Sequence, residues 1–179
     1  MRLLIVNAYG GAGRDALRAA GATAPDLLYR RLIERLVPDC RTDVLYAADA
    51  DAQLPPGTAL DAYDGMVWTG SSLTIHAAGD AQVTRQIELA RAAYAAGVPA
   101  FGSCWAAQIA VTAAGGRCAP SPHGREFGVA APIRLTAEGR DHPLFRGKED
   151  GFAALTSHAD EVVELPAGAT LLASNAFSR

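Results

Sequence analysis

The sequence predicts an α/β fold, a three-layer α/β/α arrangement with a mainly parallel sheet followed by an antiparallel extension. Residues 3–8 form a continuous apolar run, which is typical of a strand buried on both faces of a parallel sheet. Strand patterns then alternate with helical patterns up to about residue 117, as in βαβ units. Beyond that point the patterns are almost all strands, which predicts the antiparallel part. We expect residues 1–179 to form one domain.

The composition excludes several classes of function. Half of the 179 residues are hydrophobic and 20% are charged, as in a globular domain with a substantial core. The net charge is −3 and no basic cluster occurs, so we expect no nucleic-acid partner. No apolar run has membrane-spanning length, and Asn7 ends the first apolar run too early for a signal peptide, so we expect no membrane association.

The cysteines indicate the redox environment. Three widely spaced residues, Cys40, Cys104 and Cys118, form neither a disulfide framework nor a zinc pattern. This usage favours a reducing cytoplasm. We expect neither a metal nor a cofactor.

The first third of the chain is predicted to contain two strands and one helix. After the strand at 3–8, the glycine-rich stretch Tyr9–Gly13 lacks the G-x-G-x-x-G spacing of a dinucleotide site, and we interpret residues 9–24 as a mobile loop. Pro25 opens a helix that ends at Val37. Its predicted buried face consists of leucines spaced four apart: Leu28, Leu32 and Leu36. The second strand is expected at 42–47.

The middle third continues the alternation. Met66–Trp68 is a short apolar run typical of a buried strand, and the run at 99–101 is interpreted in the same way. Between them lies a helix at 80–96, which ends before Gly97. Its predicted buried stripe contains Val83, Ile87, Ala90 and Tyr94. A last helix begins at Trp105 and ends before Gly115.

The final third is predicted to consist mainly of strands. Residues 124–128 and 129–136 are expected to pair with each other, with Gly139 in a turn. Further strands are expected at 152–157, 162–165 and 170–174.

Cys104 lies where a predicted strand turns sharply into a helix. Gly102 permits a backbone bend that a larger residue would resist. At a helix N-terminus, the dipole and the unpaired amides favour a thiolate over a thiol. The amide of Trp105, next in the chain, can donate to an oxyanion. A lone cysteine is more often a small buried hydrophobe, but this setting favours a nucleophile.

The stretch from Gly102 to Gln108, G-S-C-W-A-A-Q, resembles the G-x-C-x-G-x-Q elbow of the class I glutamine amidotransferases. More narrowly, it is similar to stand-alone members related to the glutaminase domain of GMP synthase. The resemblance implies a flavodoxin-like sheet, with Cys104 as catalytic nucleophile and Trp105 as one oxyanion donor. Gln108 would help to position the substrate. One departure is Ala106, where the family usually has glycine.

Two other stretches carry the same resemblance. Residues 63–72 are similar to the family's YDG…TGS segment, which implies that Gly70 supplies the second oxyanion donor and that the backbone of Ser72 contacts glutamine. Because this loop and the cysteine both follow parallel strands, they can converge at one edge of the sheet. Residues 157–166 are similar to the family's SH-x-D-x-V-x-x-LP strand, which flanks the α-amino and carboxylate groups of glutamine. This implies substrate contacts for Ser157, Ala159 and Asp160.

The proton acceptor that a catalytic cysteine needs is missing from the sequence. In the family it is a histidine followed two residues later by glutamate, in a Q-[FY]-HPE-like strand. None of the histidines has glutamate at that spacing: His76, His123, His142 and His158. We favour the interpretation that this chain lacks its C-terminal part and is by itself inactive or very slow. Two alternatives stay open: a protein that binds without turnover, and His158 as a substitute base, although a packed strand histidine is the favoured interpretation of that residue.

The resemblance implies hydrolysis of the side-chain amide of glutamine, or of a related γ-glutamyl compound, through a Cys104 thioester. The released ammonia would pass to a synthase chain, to another reaction or to solution, and the sequence leaves these destinations open. The alternatives are a glutamine-binding or scaffold subunit without turnover, and a γ-glutamyl peptidase that uses the same elbow.

Overall fold

The structure, a computed structural model, describes residues 1–77 and 79–178. The chain divides into two compact units, Met1–Ala113 and Ala114–Arg179. The first unit holds a parallel sheet, and the second holds antiparallel strands. The predicted α/β fold with an antiparallel extension is confirmed, whereas a single domain over residues 1–179 stays a prediction.

The first unit is built on a four-stranded parallel sheet in the order β2-β1-β3-β4. Its strands are β1 Arg2–Asn7, β2 Arg41–Tyr46, β3 Gly65–Trp68 and β4 Ala100–Gly102. Its helices are α1 Gly11–Ala19, α2 Pro25–Leu36, α3 Ala81–Ala95 and α4 Trp105–Ala113, with a 3-10 turn at Leu60–Ala62.

Strand β1 supplies the centre of this unit's core. Leu4, Ile5 and Val6 have no exposed surface, as its unbroken apolar run predicts for a strand covered on both faces. The strand ends at Asn7, which is also fully buried. Its side-chain amide donates to Asp26 Oδ1 at 2.7 Å, so this buried polar group is paired.

Helix α1 lies where a mobile loop at 9–24 was predicted, and that prediction is wrong. None of its residues is buried, and Leu17 is its only large apolar side chain, so the segment lacks the apolar face of a core helix. The helix is instead anchored by charge: Arg14 donates to Tyr9 O at 2.7 Å and forms a bidentate ion pair with Asp49, with the shortest contact at 2.8 Å. Asp49 lies 35 residues further along the chain, which is why local patterning does not reveal the contact.

Helix α2 forms as predicted but turns a different face to the sheet. The leucines expected in the core are exposed, with 51% of Leu28, 53% of Leu32 and 69% of Leu36 accessible. Ile33 is the buried residue of this helix. The hydrogen bond between Asn7 of β1 and Asp26 ties the first turn of the helix to the sheet.

The buried stripe of α3 is likewise shifted from the prediction. It contains Val83, Gln86, Ala90 and Ala93. Tyr94, expected in the core, is 53% exposed and its hydroxyl donates to Ala110 O of α4 at 3.2 Å. Small alanines on the inner face let α3 approach its neighbours closely, and the larger tyrosine lies at the margin.

Strand β4 was predicted to be buried, and this is wrong. All three of its residues are exposed, including Phe101 at 56%. The strand pairs only with β3 among the described residues and is therefore an edge of the sheet. Burial could not be inferred from three apolar letters, because an edge strand carries the same letters.

The second unit contains antiparallel pairs. Strand β5 Arg117–Pro120 pairs with β8 Asp160–Glu164, and β6 Glu126–Leu135 lies between β7 Phe152–His158 and β9 Ala173–Ser174. Helix α5 Ala137–Asp141 and a 3-10 turn at Pro143–Phe145 follow β6. The predicted pairing of 124–128 with 129–136 is wrong, because most of these residues form the single strand β6. The predicted turn at Gly139 is wrong as well, since Gly139 is a buried residue of α5.

Gly139 gives a stability prediction for the second unit. A Cβ at this position would overlap the carbonyl of Leu172, which also accepts a hydrogen bond from Thr136 N at 2.9 Å. Gly139→Ala should therefore lower the free energy of unfolding by about 1–3 kcal/mol, because backbone overlap outweighs the usual benefit of alanine in a helix. Urea unfolding would measure it.

Gly11→Ala is the matched control, because a Cβ there meets only Arg14 Nη2 at 3.9 Å. This helical substitution should be neutral or slightly stabilising. Equal unfolding midpoints for Gly139→Ala and the unmodified protein would contradict the predicted overlap.

Among the described residues, no helix is long and apolar enough to cross a membrane.

Candidate active site

The predicted elbow is present in the first unit. Cys104 lies between β4 and α4, is exposed, and has a φ of +55°, in the left-handed region that side-chain-bearing residues seldom adopt. Ser103 N donates to Trp68 O at 3.2 Å, and Ala107 N donates to Cys104 O at 3.0 Å. The turn is thus fixed by β3 on one side and by the first turn of α4 on the other. A cysteine held in this conformation is presented outward rather than packed.

Gly102 serves the elbow in a way that differs from the prediction. The expected reason for glycine was a bend, but its φ is not in the left-handed region. The actual reason is close packing, because a Cβ on Gly102 would lie 2.5 Å from Cβ of Ala106. The methyl group that distinguishes Ala106 from the family's usual glycine is accommodated because position 102 has no side chain.

The loop after β3 reaches the elbow, as predicted. A Cβ built on Gly70 would lie 3.8 Å from Cys104 Cβ, so the two loops are in contact at the carboxyl edge of the sheet. Thr69, which is fully buried, donates from its hydroxyl to Gly70 O at 2.9 Å. Ser72 is exposed and borders Gly13 of α1, where an added Cβ would lie 2.7 Å from Ser72 Oγ.

Helix α4 buries two of the predicted site residues. The Trp105 side chain is 1% exposed and donates through Nε1 to Gln86 Oε1 at 2.9 Å. Gln108 is 8% exposed. The side chain of Trp105 is therefore an anchor, and its proposed chemical contribution is limited to its backbone amide. A substrate-positioning role for Gln108 stays a prediction.

Two tyrosines near the elbow were missed by sequence reasoning. Tyr29 of α2 forms a side-chain hydrogen bond with Ser103, the residue before the cysteine. Burial raises the pKa of Tyr29, and burial and then the neighbouring Cys104 charge raise the pKa of Tyr9. Both side chains are therefore neutral phenols at physiological pH. Tyr9 follows β1 at the carboxyl edge, a position that could have marked it, whereas no sequence signal marks Tyr29.

In the second unit, the predicted substrate-contact residues lie together at the corner where β7 passes into β8. Ser157 and Ala159 are exposed and Asp160 is half-buried. Ser157 Oγ accepts from Arg125 Nη2 at 3.0 Å, and Ala159 O accepts from Ser121 N at 2.9 Å. The corner is thus pinned by backbone and side-chain hydrogen bonds. Its role in binding stays a prediction.

His158, at the same corner, has hydrogen-bond partners at both ring nitrogens. Nε2 lies 2.8 Å from Glu126 Oε2, and Nδ1 lies 3.0 Å from Asp160 O. The other Glu126 oxygen accepts from Asn175 Nδ2 at 2.5 Å. An imidazole with acceptors at both nitrogens is built into its strand, which favours the packed-histidine interpretation over a substitute base.

The described residues contain no cluster of three or more metal-ligating side chains of the His, Cys, Asp and Glu types. Within the described chain, no disulfide joins the three cysteines.

The fold and the elbow define an α/β protein that presents a side chain on a strand-to-helix turn. Within that class, the sequence identifies the family. The model of the family described as "Glutamine amidotransferase class-I" matches residues 29–179. The chain belongs to the class I glutamine amidotransferase family, as its elbow motif suggested.

Individual relatives extend this finding. The chain is 35% identical over 178 residues to a γ-glutamyl-L-1-hydroxyisopropylamide hydrolase from Pseudomonas sp., covering 98% of this chain and 59% of that protein. It is 28% identical over 165 residues to the glutamine-hydrolysing GMP synthase of Streptomyces avermitilis, covering 87% of this chain and 29% of that protein. It therefore spans less than two thirds of either relative.

A solved structure of a glutamine amidotransferase from Thermotoga maritima has the same fold. The TM-score is 0.70 at 16% identity, over 99% of this chain and 68% of that one.

Proposed function

We propose that this chain carries the nucleophilic part of an enzyme that hydrolyses γ-glutamyl amide bonds. Cys104 is the nucleophile, and the amides of Gly70 and Trp105 stabilise the oxyanion. The observation that carries the proposal is the close approach of the exposed elbow cysteine to the glycine loop after β3, where a Cβ built on Gly70 would lie 3.8 Å from Cys104 Cβ. A nucleophile and a donor loop in contact are the two parts that acyl transfer needs side by side.

The reaction proceeds in two displacement steps. Cys104 Sγ attacks the γ-carbonyl carbon, and the negative charge moves to the oxygen, where each backbone donor contributes about 3 kcal/mol in comparable sites. The C–N bond then breaks, the nitrogen takes a proton and leaves as ammonia or an amine, and a γ-glutamyl thioester remains. Water hydrolyses the thioester to glutamate and the free thiol.

Proton transfer requires a further group. His158 is engaged at both ring nitrogens, and His76, His123 and His142 are exposed residues with no carboxylate two positions on. We propose that the base is the histidine of a His-Pro-Glu segment that residues 1–179 do not contain. These residues alone should then hydrolyse amides very slowly.

The substrate class includes glutamine and substituted γ-glutamyl amides. The family name supports glutamine, and the Pseudomonas relative is named for an amide whose departing amine is larger than ammonia. A synthase chain that accepts ammonia is the partner for the glutamine case, as the name of the GMP synthase relative suggests. The cysteine usage supports a cytoplasmic setting.

The experiment is a substrate panel tested on the protein expressed from its natural reading frame. Glutamine, the γ-glutamyl amide of L-2-amino-1-propanol and γ-glutamylalanine would be added, and glutamate release would be measured. Release from either of the first two supports an amide hydrolase, while preference for γ-glutamylalanine supports a peptidase. Saturable glutamine binding without release would reject the enzyme and leave a binding or scaffold subunit.

A further inference from the structure

A buried glutamine links the elbow to the first strand of the sheet. Gln86 of α3 has no exposed surface. Its Oε1 accepts from Trp105 Nε1 at 2.9 Å, and its Nε2 donates to Ala8 O at 3.2 Å and to Gln82 O of its own helix at 3.3 Å. The side chain therefore bridges the start of α4 and the end of β1. A buried side-chain amide is stable only where both its N–H and its C=O groups form hydrogen bonds, since each unpaired group costs about 1–3 kcal/mol of stability.

The glycine loop is tied to the same point on β1. Ser71 Oγ donates to Ala8 O at 3.0 Å, so that carbonyl receives both the glutamine and the serine. Ala8 N donates to Thr69 Oγ1 at 3.0 Å, and that hydroxyl donates in turn to Gly70 O at 2.9 Å. The backbone N–H and C=O groups of Ala8 thus support both loops that carry the proposed oxyanion donors.

We propose that Gln86 is a positioning residue that holds the Trp105 amide in register with the Gly70 amide at Cys104. This inference rests on the proposed function. Oxyanion donors are effective only when they are fixed before the charge develops, and two donors on different loops need a shared support. The chain of contacts from Trp105 through Gln86 and Ala8 to Thr69 provides it.

Gln86→Met tests the inference, because methionine keeps the length of the side chain and removes its three hydrogen bonds, including those to Trp105 and Ala8. In the protein from its natural reading frame, kcat for glutamate release should fall about 10- to 100-fold with little change in KM, as expected for partial loss of an oxyanion donor. The rate of Cys104 alkylation by iodoacetamide should stay within about twofold, because displacement at a saturated carbon forms no oxyanion.

Glu88→Met is the matched control, since Glu88 is an exposed residue of the same helix. It should leave kcat, KM and alkylation unchanged. The inference is overturned if Gln86→Met leaves kcat intact, or if kcat and the alkylation rate fall together, which would indicate a generally disordered elbow.

A second measurement separates this inference from the proposed function. In amide hydrogen exchange on the chain itself, Gln86→Met should speed exchange at Gly70 and Trp105 relative to Glu88→Met. If the unmodified protein hydrolyses no substrate, the proposed function fails, and these exchange rates still decide whether Gln86 supports both loops. Unchanged exchange at both positions would reject the support.

Discussion

Cys104→Ala should abolish release of glutamate from every γ-glutamyl substrate that the unmodified protein cleaves. The side chain supplies the sulfur atom that forms the thioester, and the hydroxyl of the adjacent Ser103 is engaged by Tyr29. Loss of a covalent nucleophile typically costs several orders of magnitude in kcat, and only weak catalysis by the donor loops remains. Substrate binding should persist, because the proposed binding groups are elsewhere. Isothermal titration with glutamine and a coupled glutamate assay would measure the two properties.

The other cysteines provide matched controls for this substitution. Cys40 and Cys118 are half-buried, and neither lies on the elbow. Cys40→Ala and Cys118→Ala should retain full activity. Activity that survives Cys104→Ala but is lost in either control variant would contradict the assignment of the nucleophile.

The second large effect is expected at Gly102. Gly102→Ala would bring a methyl group to 2.5 Å from the Ala106 methyl, well inside contact distance. Relief requires β4 to move away from α4, and Cys104 lies between them. Overpacking of this kind costs about 1–3 kcal/mol of stability, and a displacement near 1 Å at a reacting group can cost about 100-fold in rate. Thermal unfolding and kcat/KM would report the two losses.

The double variant Gly102→Ala with Ala106→Gly shows whether overlap is the cause. Removing the Ala106 methyl leaves the new Cβ at 3.5–3.6 Å from the backbone carbons of residue 106, which is ordinary contact. The double variant should therefore recover much of the stability and activity. If it is as impaired as the single variant, glycine at 102 is needed for another reason.

The sequence predicts the parallel strands and the elbow well because these depend on local patterning. The unbroken apolar run of β1 and the transition from β4 to α4 at Cys104 are both encoded within a few adjacent residues. The buried faces of the helices are predicted less well, because they depend on contacts between residues that are distant in sequence. Helix α2 is tied to β1 by the contact of Asp26 with Asn7, and α1 is held by the ion pair of Arg14 with Asp49. Such pairs are distant in sequence, so periodicity alone assigns residues such as Leu28 to the core wrongly.

The same distinction applies to the candidate site. Motif resemblance located Gly70 and Cys104, and the two lie in contact as expected. Gln86 and Tyr29 could not be found in this way. Gln86 occupies a helix face that looks like core, and Tyr29 meets Ser103 from a helix more than 70 residues earlier in the chain. Both residues are recognised only through their tertiary contacts with Trp105 and Ser103, the residues on either side of the cysteine.

The central claim is that the Cys104 sulfur is the group that attacks a γ-glutamyl carbonyl. The most direct measurement is peptide mapping by mass spectrometry after the protein from its natural reading frame has reacted with an electrophilic glutamine analogue. The proposed function predicts one adduct, on the peptide that contains Cys104, and protection of that peptide by excess glutamine. An adduct on Cys40 or Cys118 with Cys104 unmodified would contradict the claim.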